Sequence, residues 1–153
     1  MILSILFLHN RPIPGPEANS VAVMQLCAAF ARQGAKVQLV TFGGDRRSDP
    51  FAAYGVERSF GVKRLPHLSG PLAYPTLLAA GLAACPADAT VYTRIPQVAV
   101  YATLLRRRTV LEMHYPIGEA RRGPWSLEHL NRRGNSLAGV VVINHALADR
   151  LAG

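Results

Sequence analysis

The residues of this sequence that could perform chemistry follow short apolar runs, at the points where strands of a sheet would end. His9 comes directly after one run, Arg94 follows another, and a third run ends around Glu112 and His114. Glu112 and His114 are two residues apart, so on an extended strand their side chains lie on one face. Because the carboxyl ends of parallel strands meet at one edge, where open α/β sheets bind ligands, we predict a polar site there.

Two interpretations of Arg94 and Glu112 stay open at this level. In the first, the guanidinium and the carboxylate bind a ligand; in the second, they form an ion pair that only holds two neighbouring strands together. For His145, which follows the last apolar run, the sequence favours an exposed position in the first turn of the final helix.

The segment that follows the first apolar run is rich in proline and glycine and leads into a predicted helix. It extends from His9 to Ser20, with Gly15 between Pro14 and Pro16. Backbone amides at a helix N-terminus can bind an anion such as phosphate, and a glycine lets a ligand approach the backbone closely. Proline and glycine are also ordinary loop formers, so this pattern alone does not assign a phosphate site.

Apolar runs rich in Val, Ile, Leu and Thr predict the strands that position these residues. The runs are residues 2–8, 36–42, 89–93, 109–113 and 139–143, with 62–65 as a weaker sixth. The segments between them predict helices over residues 19–33, 72–84, 97–107, 125–133 and 144–151. Runs without polar alternation are typical of strands covered on both faces. The alternation of strands and helices predicts a doubly wound α/β domain whose mostly parallel sheet is flanked by helices.

The composition is consistent with one such domain. Half of the 153 residues are hydrophobic, which is enough to form a core and excludes a disordered chain. The longest apolar stretch, residues 71–85, is shorter than the roughly 20 residues of a membrane-spanning helix, and the N-terminus lacks the charge and cleavage pattern of a signal peptide. Two distant cysteines, Cys27 and Cys85, argue against a disulfide scaffold and favour a cytoplasmic protein.

Several sequence motifs for bound cofactors and metals are absent. The first strand is not followed by G-x-G-x-x-G and the second does not end in an acidic residue, which disfavours a dinucleotide. There is no G-x-x-x-x-G-K-[ST], no G-x-S-x-G, no D-x-D, and no His/Cys cluster with metal-ligand spacing. We therefore expect no cofactor and no metal ion.

The chain is strongly basic, with a formal net charge of +8, and all but two of its 17 basic residues are arginines. The arginines cluster at residues 46–47, 106–108, 121–122 and 132–133. One interpretation is solvated helix ends; the other is contact with an anionic lipid surface or an acidic acceptor. Residues 119–136, where basic pairs flank Trp125, Leu127 and Leu130, are the candidate for a peripheral membrane contact. Nucleic acid is disfavoured, because the aromatic residues do not interleave with the basic ones.

In their order and spacing, these segments resemble the N-terminal domain of a GT-B-fold glycosyltransferase of the retaining family 4 type. The resemblance covers nearly the whole chain, beginning with the first strand and its proline-rich loop. Four stretches carry it, namely GAKVQLVT at 34–41, VYTRIP at 91–96, VLEMH at 110–114 and VVVINHAL at 140–147. The chain departs from the family pattern at Gly15, where a pair of glycines is usual, and at Asn144, where serine is usual.

The resemblance implies a Rossmann-like half of a GT-B fold, which mainly holds the acceptor while a second domain holds most of a nucleotide-sugar donor. His114 would lie near the transferred sugar in a positioning or polarising role, above a floor shaped by Arg94 and Glu112. The other substrate-binding candidates are His9, Asn10, Gly15, Pro16, Tyr115 and Glu119. Enzymes of this type often act on lipid-linked acceptors, so the resemblance also implies a cytoplasmic protein, with a peripheral contact at the inner face of the membrane.

Residues 1–153 carry the pattern of one domain, without the two-glutamate motif of a donor domain. We therefore expect a single acceptor-side domain, lacking its donor domain and inactive by itself. Other classes stay open: a non-catalytic binding or scaffold protein, a subunit of a split transferase, or a fragment of a GT-B-like nucleotide-sugar epimerase. The fold alone does not decide among them.

Overall fold

A computed structural model describes residues 2–114 and 136–152, and all structural statements concern these residues. They form six strands and five helices. In chain order these are β1 (Ser4–His9), α1 (Ala18–Arg32), β2 (Lys36–Phe42), α2 (Pro50–Tyr54), β3 (Gly61–Leu65), α3 (Ala73–Leu82), β4 (Thr90–Thr93), α4 (Pro96–Leu104), β5 (Thr109–Met113), β6 (Leu137–Val142) and α5 (His145–Ala152).

The strands form one sheet with the order β3-β2-β1-β4-β5-β6, and every described pair is parallel. The chain first builds outward from β1 through β2 to β3, and then crosses back to β4 on the other side of β1. This confirms the predicted doubly wound α/β fold. The reversal places a topological switch point between β1 and β4, where a crevice opens outside the carboxyl ends of the strands.

Two hydrophobic layers cover the sheet. On one face, Phe7 and Leu39 pack with Val23 and Met24 of α1 and with Phe51 of α2. On the other face, the alternate strand residues pack against α3 and α4; among them are Leu6, Leu8, Val40, Leu77 and Val98. Burial of both faces explains why the central strands β1, β2, β4 and β5 are continuous apolar runs in the sequence.

The first strand begins and ends later than the sequence predicts. Ile2 and Leu3 lie outside β1 and are 60% and 53% exposed, whereas His9, expected just after the strand, is its last residue. The parallel register explains the shift, because β2 begins at Lys36 and its partner in β1 is Ser4. Hydrophobicity alone placed Ile2 and Leu3 in the strand, but the register with β2 begins only at Ser4, and β2 contacts Leu3 only through the amide of Lys36, which donates to its carbonyl at 2.8 Å.

The fourth helix ends at Leu104, three residues earlier than predicted. The amide of Arg106 donates to the carbonyl of Thr103 at 2.9 Å, and the amide of Arg107 donates to that of Ala102 at 2.9 Å. This is the hydrogen-bond pattern of a Schellman motif, whose turn residue has a left-handed backbone. Arg106 occupies that position with φ 54°. The sequence did not reveal this end, because an arginine stands where glycine is usual.

A short helix, α2, was not predicted. Pro50 occupies its first turn, and the side chain of Asp49 caps it by accepting from the amide of Phe51 at 3.1 Å. The weak strand over residues 62–65 is confirmed as β3. The predicted helix over residues 125–133 lies outside the described residues. In the described part of the chain, no helix combines the length and apolar character needed to cross a membrane.

Candidate functional site

Three adjacent strands bring the predicted polar residues to one edge of the sheet. Leu8 of β1 is in register with Thr93 of β4, and Thr93 with Leu111 of β5. The residues that follow Leu8, Thr93 and Leu111 are His9, Arg94 and Glu112, and these three therefore lie side by side. Because side chains alternate between faces, all three lie on the face covered by α1.

Glu112 is the centre of this arrangement, and its side chain is only 8% exposed. Its Oε1 atom lies 2.8 Å from Nη2 of Arg94 and 2.7 Å from Nε2 of His114. Its Oε2 atom accepts a hydrogen bond of 2.9 Å from the hydroxyl of Tyr92. Three groups thus satisfy one buried carboxylate, which is the condition for keeping such a charge in a protein interior.

Two opposing effects set the pKa of Glu112. Burial raises the pKa of the carboxyl, but hydrogen bonds from Arg94, His114 and Tyr92 and the charge of Arg94 outweigh burial, so that the pKa falls below its usual value. Burial and the neighbouring carboxylate raise the pKa of Tyr92. At neutral pH, Glu112 is therefore ionised and Tyr92 keeps its proton as a donor.

Tyr92 is held by aromatic packing within the core. Its ring lies 4.9 Å from that of Phe7 and 5.4 Å from that of Phe30, measured between centroids. The ring is therefore fixed by apolar contacts, while its hydroxyl supports the carboxylate of Glu112.

Arg94 joins three elements at the switch point. Besides the contact with Glu112 of β5, its Nη1 atom donates to Oδ1 of Asn19, in the first turn of α1, at 2.6 Å. Its Nε atom is buried and has no hydrogen-bond partner within the described residues. The pair thus does more than hold two strands together, because it also reaches α1 and shares its carboxylate with His114.

His9 lies at this edge of the sheet and is buried. It is 2% exposed, and its Nε2 atom has no hydrogen-bond partner among the described residues. Burial and the charges of Arg94 and Arg11 lower its pKa to about 4. His9 is consequently a neutral imidazole at physiological pH, whose buried Nε2 atom is a donor or an acceptor according to the tautomer.

The proline-rich loop between β1 and α1 is tightly held. The hydroxyl of Tyr54 accepts from the amide of Gly15 at 2.6 Å and donates to the carbonyl of the same residue at 2.9 Å. The hydroxyl of Ser20 donates to the carbonyl of Pro12 at 3.1 Å, and that of Thr41 donates to the carbonyl of Arg11. The Gly15 amide is therefore already engaged, and an anion at this loop would have to use other groups.

A pair of glycines packs against this loop from the neighbouring strand end. Gly44 has φ +87°, and a Cβ atom there would lie 2.2 Å from the carbonyl oxygen of Ile13. Gly43 lies against the ring of Pro12. The close contact of the two loops thus requires glycine at position 44, because both the backbone angle and the space exclude a side chain.

The remaining predicted site residues have no described hydrogen bond to this cluster or lie outside the described residues. Asn10 is half-buried and Pro16 is exposed, and neither has a described side-chain hydrogen bond to the cluster. Tyr115, Glu119 and nearly all of the basic segment 119–136 lie outside the described residues. His145 is exposed at the start of α5, as expected, and Asn144 caps this helix by accepting from the amide of Leu147 at 2.8 Å.

Sequence reasoning missed three residues that build the site. Tyr92 precedes Arg94 by two positions, so alternation along β4 could have placed both on one face. For Asn19 the sequence indicates only the start of a helix, and Tyr54 lies in α2, which the sequence does not predict. Nothing in the sequence links Tyr54 to Gly15, which is 39 residues away.

Chemically, the rim offers an oriented imidazole beside an ionised carboxylate, with an arginine at its side. The carboxylate holds the ring of His114, whose side chain is 37% exposed and accessible to a ligand. Such an arrangement binds and polarises hydroxyl groups. No group of three or more metal-ligating side chains occurs within residues 2–114 and 136–152.

Fold and site together define a Rossmann-like α/β domain with a cluster of polar side chains at its switch point. The family model described as a glycosyl transferase 4-like domain matches residues 19–153. The chain therefore belongs to this glycosyltransferase family, whose domains in general bind a sugar donor and an acceptor. No curated protein and no solved structure matched the chain.

Proposed function

We propose that this domain forms the acceptor side of a sugar-transfer site, and that a second domain holds most of the nucleotide-sugar donor. The observation that carries the proposal is the contact of 2.7 Å between Glu112 and His114 at the carboxyl edge of the sheet. A buried ionised carboxylate that orients a half-exposed imidazole is suited to bind a sugar hydroxyl. Membership of the glycosyl transferase 4-like family supports this choice of ligand.

In this proposal, His114 is the residue that touches the sugar. When Nε2–H donates its hydrogen bond to the carboxylate of Glu112, Nδ1 is left as a hydrogen-bond acceptor for a sugar hydroxyl. Arg94 and Tyr92 act as positioning residues, since they hold the carboxylate in place. The loop that carries Gly15 and Pro16 lies beside α1 and would border the acceptor or the donor phosphates.

Sugar transfer requires donor and acceptor in one cleft, so we propose that the 153-residue domain alone binds sugar without turning over a donor. The lipid-linked nature of the acceptor and a peripheral membrane contact are further parts of the proposal. Positive charge supports them, because the chain carries a formal net charge of +8.

Saturation-transfer NMR on the purified chain tests this function, with methyl glucoside and methyl mannoside as probes. We expect weak binding by the wild type and loss of the signal in His114→Ala. Arg47→Ala is the control, because Arg47 is exposed in the loop after β2 and makes no described side-chain contact with the rim. Equal binding by wild type and His114→Ala would overturn the role of His114, and binding by neither would favour a non-catalytic scaffold.

A second measurement addresses turnover. The chain is incubated with radiolabelled UDP-glucose or GDP-mannose and each methyl glycoside, and the products are separated by chromatography. We expect no labelled disaccharide. A labelled product that disappears in His114→Ala would contradict the need for a second domain while supporting the rim as the site.

A further inference from the structure

A concave surface lies at the edge of the sheet opposite to the rim. It is an open groove with a volume of ≈ 350 Å³, lined by Arg106, Arg108, Ser136 and Ala138. Arg108 and Ser136 directly precede β5 and β6, so the groove lies at the amino ends of these strands. The four-residue step from Arg108 to Glu112 spans roughly 13 Å of strand, which separates the groove from the rim.

The groove carries positive charge that no described acidic side chain compensates. Arg106 and Arg108 are both exposed, and neither forms an ion pair within residues 2–114 and 136–152. Arg107, between them, differs in this respect, because its guanidinium donates to the carbonyl of Ala87. The groove therefore offers two guanidinium groups and the hydroxyl of Ser136 as hydrogen-bonding groups for a ligand.

The backbone of Arg106 gives a second, independent observation. It occupies the turn position of the Schellman motif after α4 with φ 54°, a left-handed backbone that glycine adopts at the lowest conformational free energy. A left-handed backbone is unfavourable for an L-residue that carries a Cβ atom. Local backbone preference therefore does not account for an arginine at this position, which is also a lining residue of the groove.

The walls of the groove are attached to the sheet. The amide of Thr109 donates to the carbonyl of Ser136 at 2.7 Å, and the amide of Val91 donates to the carbonyl of Arg108 at 2.8 Å. The hydroxyl of Thr109 also donates to the carbonyl of Arg107 at 2.8 Å. These contacts hold the backbone of Arg108 beside that of Ser136, so little ordering is required when a ligand binds.

We propose that this groove binds the phosphate group of a small phosphorylated molecule, at a site separate from the sugar-transfer rim. Arginine forks match the oxygens of phosphate, and paired arginines bind it more tightly than a single charge does. The volume is that of a small-molecule site, and its concave shape favours a small anion over the flat surface of a bilayer. The proposal does not depend on the proposed function.

Isothermal titration of the full chain with pyrophosphate tests the site, supported by amide NMR shifts at Leu105, Ser136 and Ala138. We expect shifts at these amides, and about tenfold weaker binding in Arg108→Ala because one charge-assisted contact is lost. Arg106→Gly is expected to weaken binding similarly while keeping or raising the melting temperature, since glycine suits the left-handed backbone. Arg47→Ala, an equal loss of charge elsewhere, should bind like the wild type.

Other results would overturn the proposal. These are no binding, shifts confined to the rim around His114, or unchanged affinity in the double variant Arg106→Gly/Arg108→Ala. A parallel sedimentation assay uses vesicles of phosphatidylglycerol and of phosphatidylcholine. Capture by phosphatidylglycerol that requires these arginines and that pyrophosphate does not displace would assign the groove to a membrane surface instead.

Discussion

The Nη2 atom of Arg94 lies 2.8 Å from Oε1 of Glu112, and the two side chains are 12% and 8% exposed. The contact joins the ends of β4 and β5 at the switch point of the sheet. Because water reaches neither charge freely, each depends on the other for its stabilisation. The same oxygen of Glu112 contacts His114, so the ion pair also determines how the candidate sugar-binding imidazole is oriented.

Replacement of Glu112 should therefore lower stability strongly. We expect Glu112→Gln to reduce the free energy of unfolding by about 3 kcal/mol, because a buried arginine loses its compensating charge. Urea denaturation followed by circular dichroism measures this value. Glu17→Gln is the control, since Glu17 pairs with Arg11 at 3.6 Å on the surface and should change stability by less than about 1 kcal/mol. Equal losses in both variants would contradict the assigned importance of burial.

His9 should make the protein sensitive to mild acid. Burial and the charges of Arg94 and Arg11 lower its pKa from 6.5 to about 4, so the folded chain resists a proton that the unfolded chain accepts. Stability is then lost as the pH falls from 6.5 towards about 4, by about 3 kcal/mol in total. Urea denaturation at pH 7, 6 and 5 measures the loss.

The matched variants for this pH dependence are His9→Gln and His67→Gln. His9→Gln removes the buried imidazole, so its stability should vary less between pH 7 and pH 5 than that of the wild type. His67 is exposed, and its replacement should leave the pH profile unchanged. An unaltered acid loss in His9→Gln would show that other groups cause it.

The contact between the loops after β1 and β2 should tolerate no side chain at position 44. Gly44 and Gly34 both have φ +87°, but a Cβ atom meets Ile13 only at position 44 and nothing within 4 Å at position 34. Gly34→Ala should therefore cost about 1 kcal/mol for the backbone alone. Gly44→Ala should cost at least about 2 kcal/mol more, because a backbone carbonyl must move. Thermal unfolding of the two variants compares these costs, and similar losses would contradict the predicted clash.

The hydroxyl of Tyr54 should keep the loop that contains Gly15 closed. Tyr54→Phe removes both hydrogen bonds to Gly15, and we expect a loss of about 1 kcal/mol. Hydrogen exchange at the Gly15 amide should become faster. Tyr74→Phe is the matched control, because Tyr74 is also half-buried and no hydrogen bond of its hydroxyl is described. Unchanged exchange at Gly15 in Tyr54→Phe would contradict this role.

Much of the fold could be predicted from the sequence, because the four central strands, β1, β2, β4 and β5, are largely buried and therefore consist of nearly continuous apolar residues. Even the weak run before Pro66 is a strand, β3. The ends of the strands were predicted less accurately, as the positions of Ile2 and His9 relative to β1 show. The start of β1 depends on where β2 provides a partner, and hydrophobicity does not contain that information.

The candidate site, like the fold, could be predicted from the sequence only in part. The sequence by itself determined that Glu112 and His114 share a face, because alternation along a strand is a local property, and it placed Arg94 at the neighbouring strand end. Only the tertiary structure decided that Asn19 and Tyr92 join them, that His9 is buried, and that Tyr54 occupies the amide of Gly15. These contacts connect residues far apart in the chain, and their geometry depends on strand register and on how helices pack across the sheet.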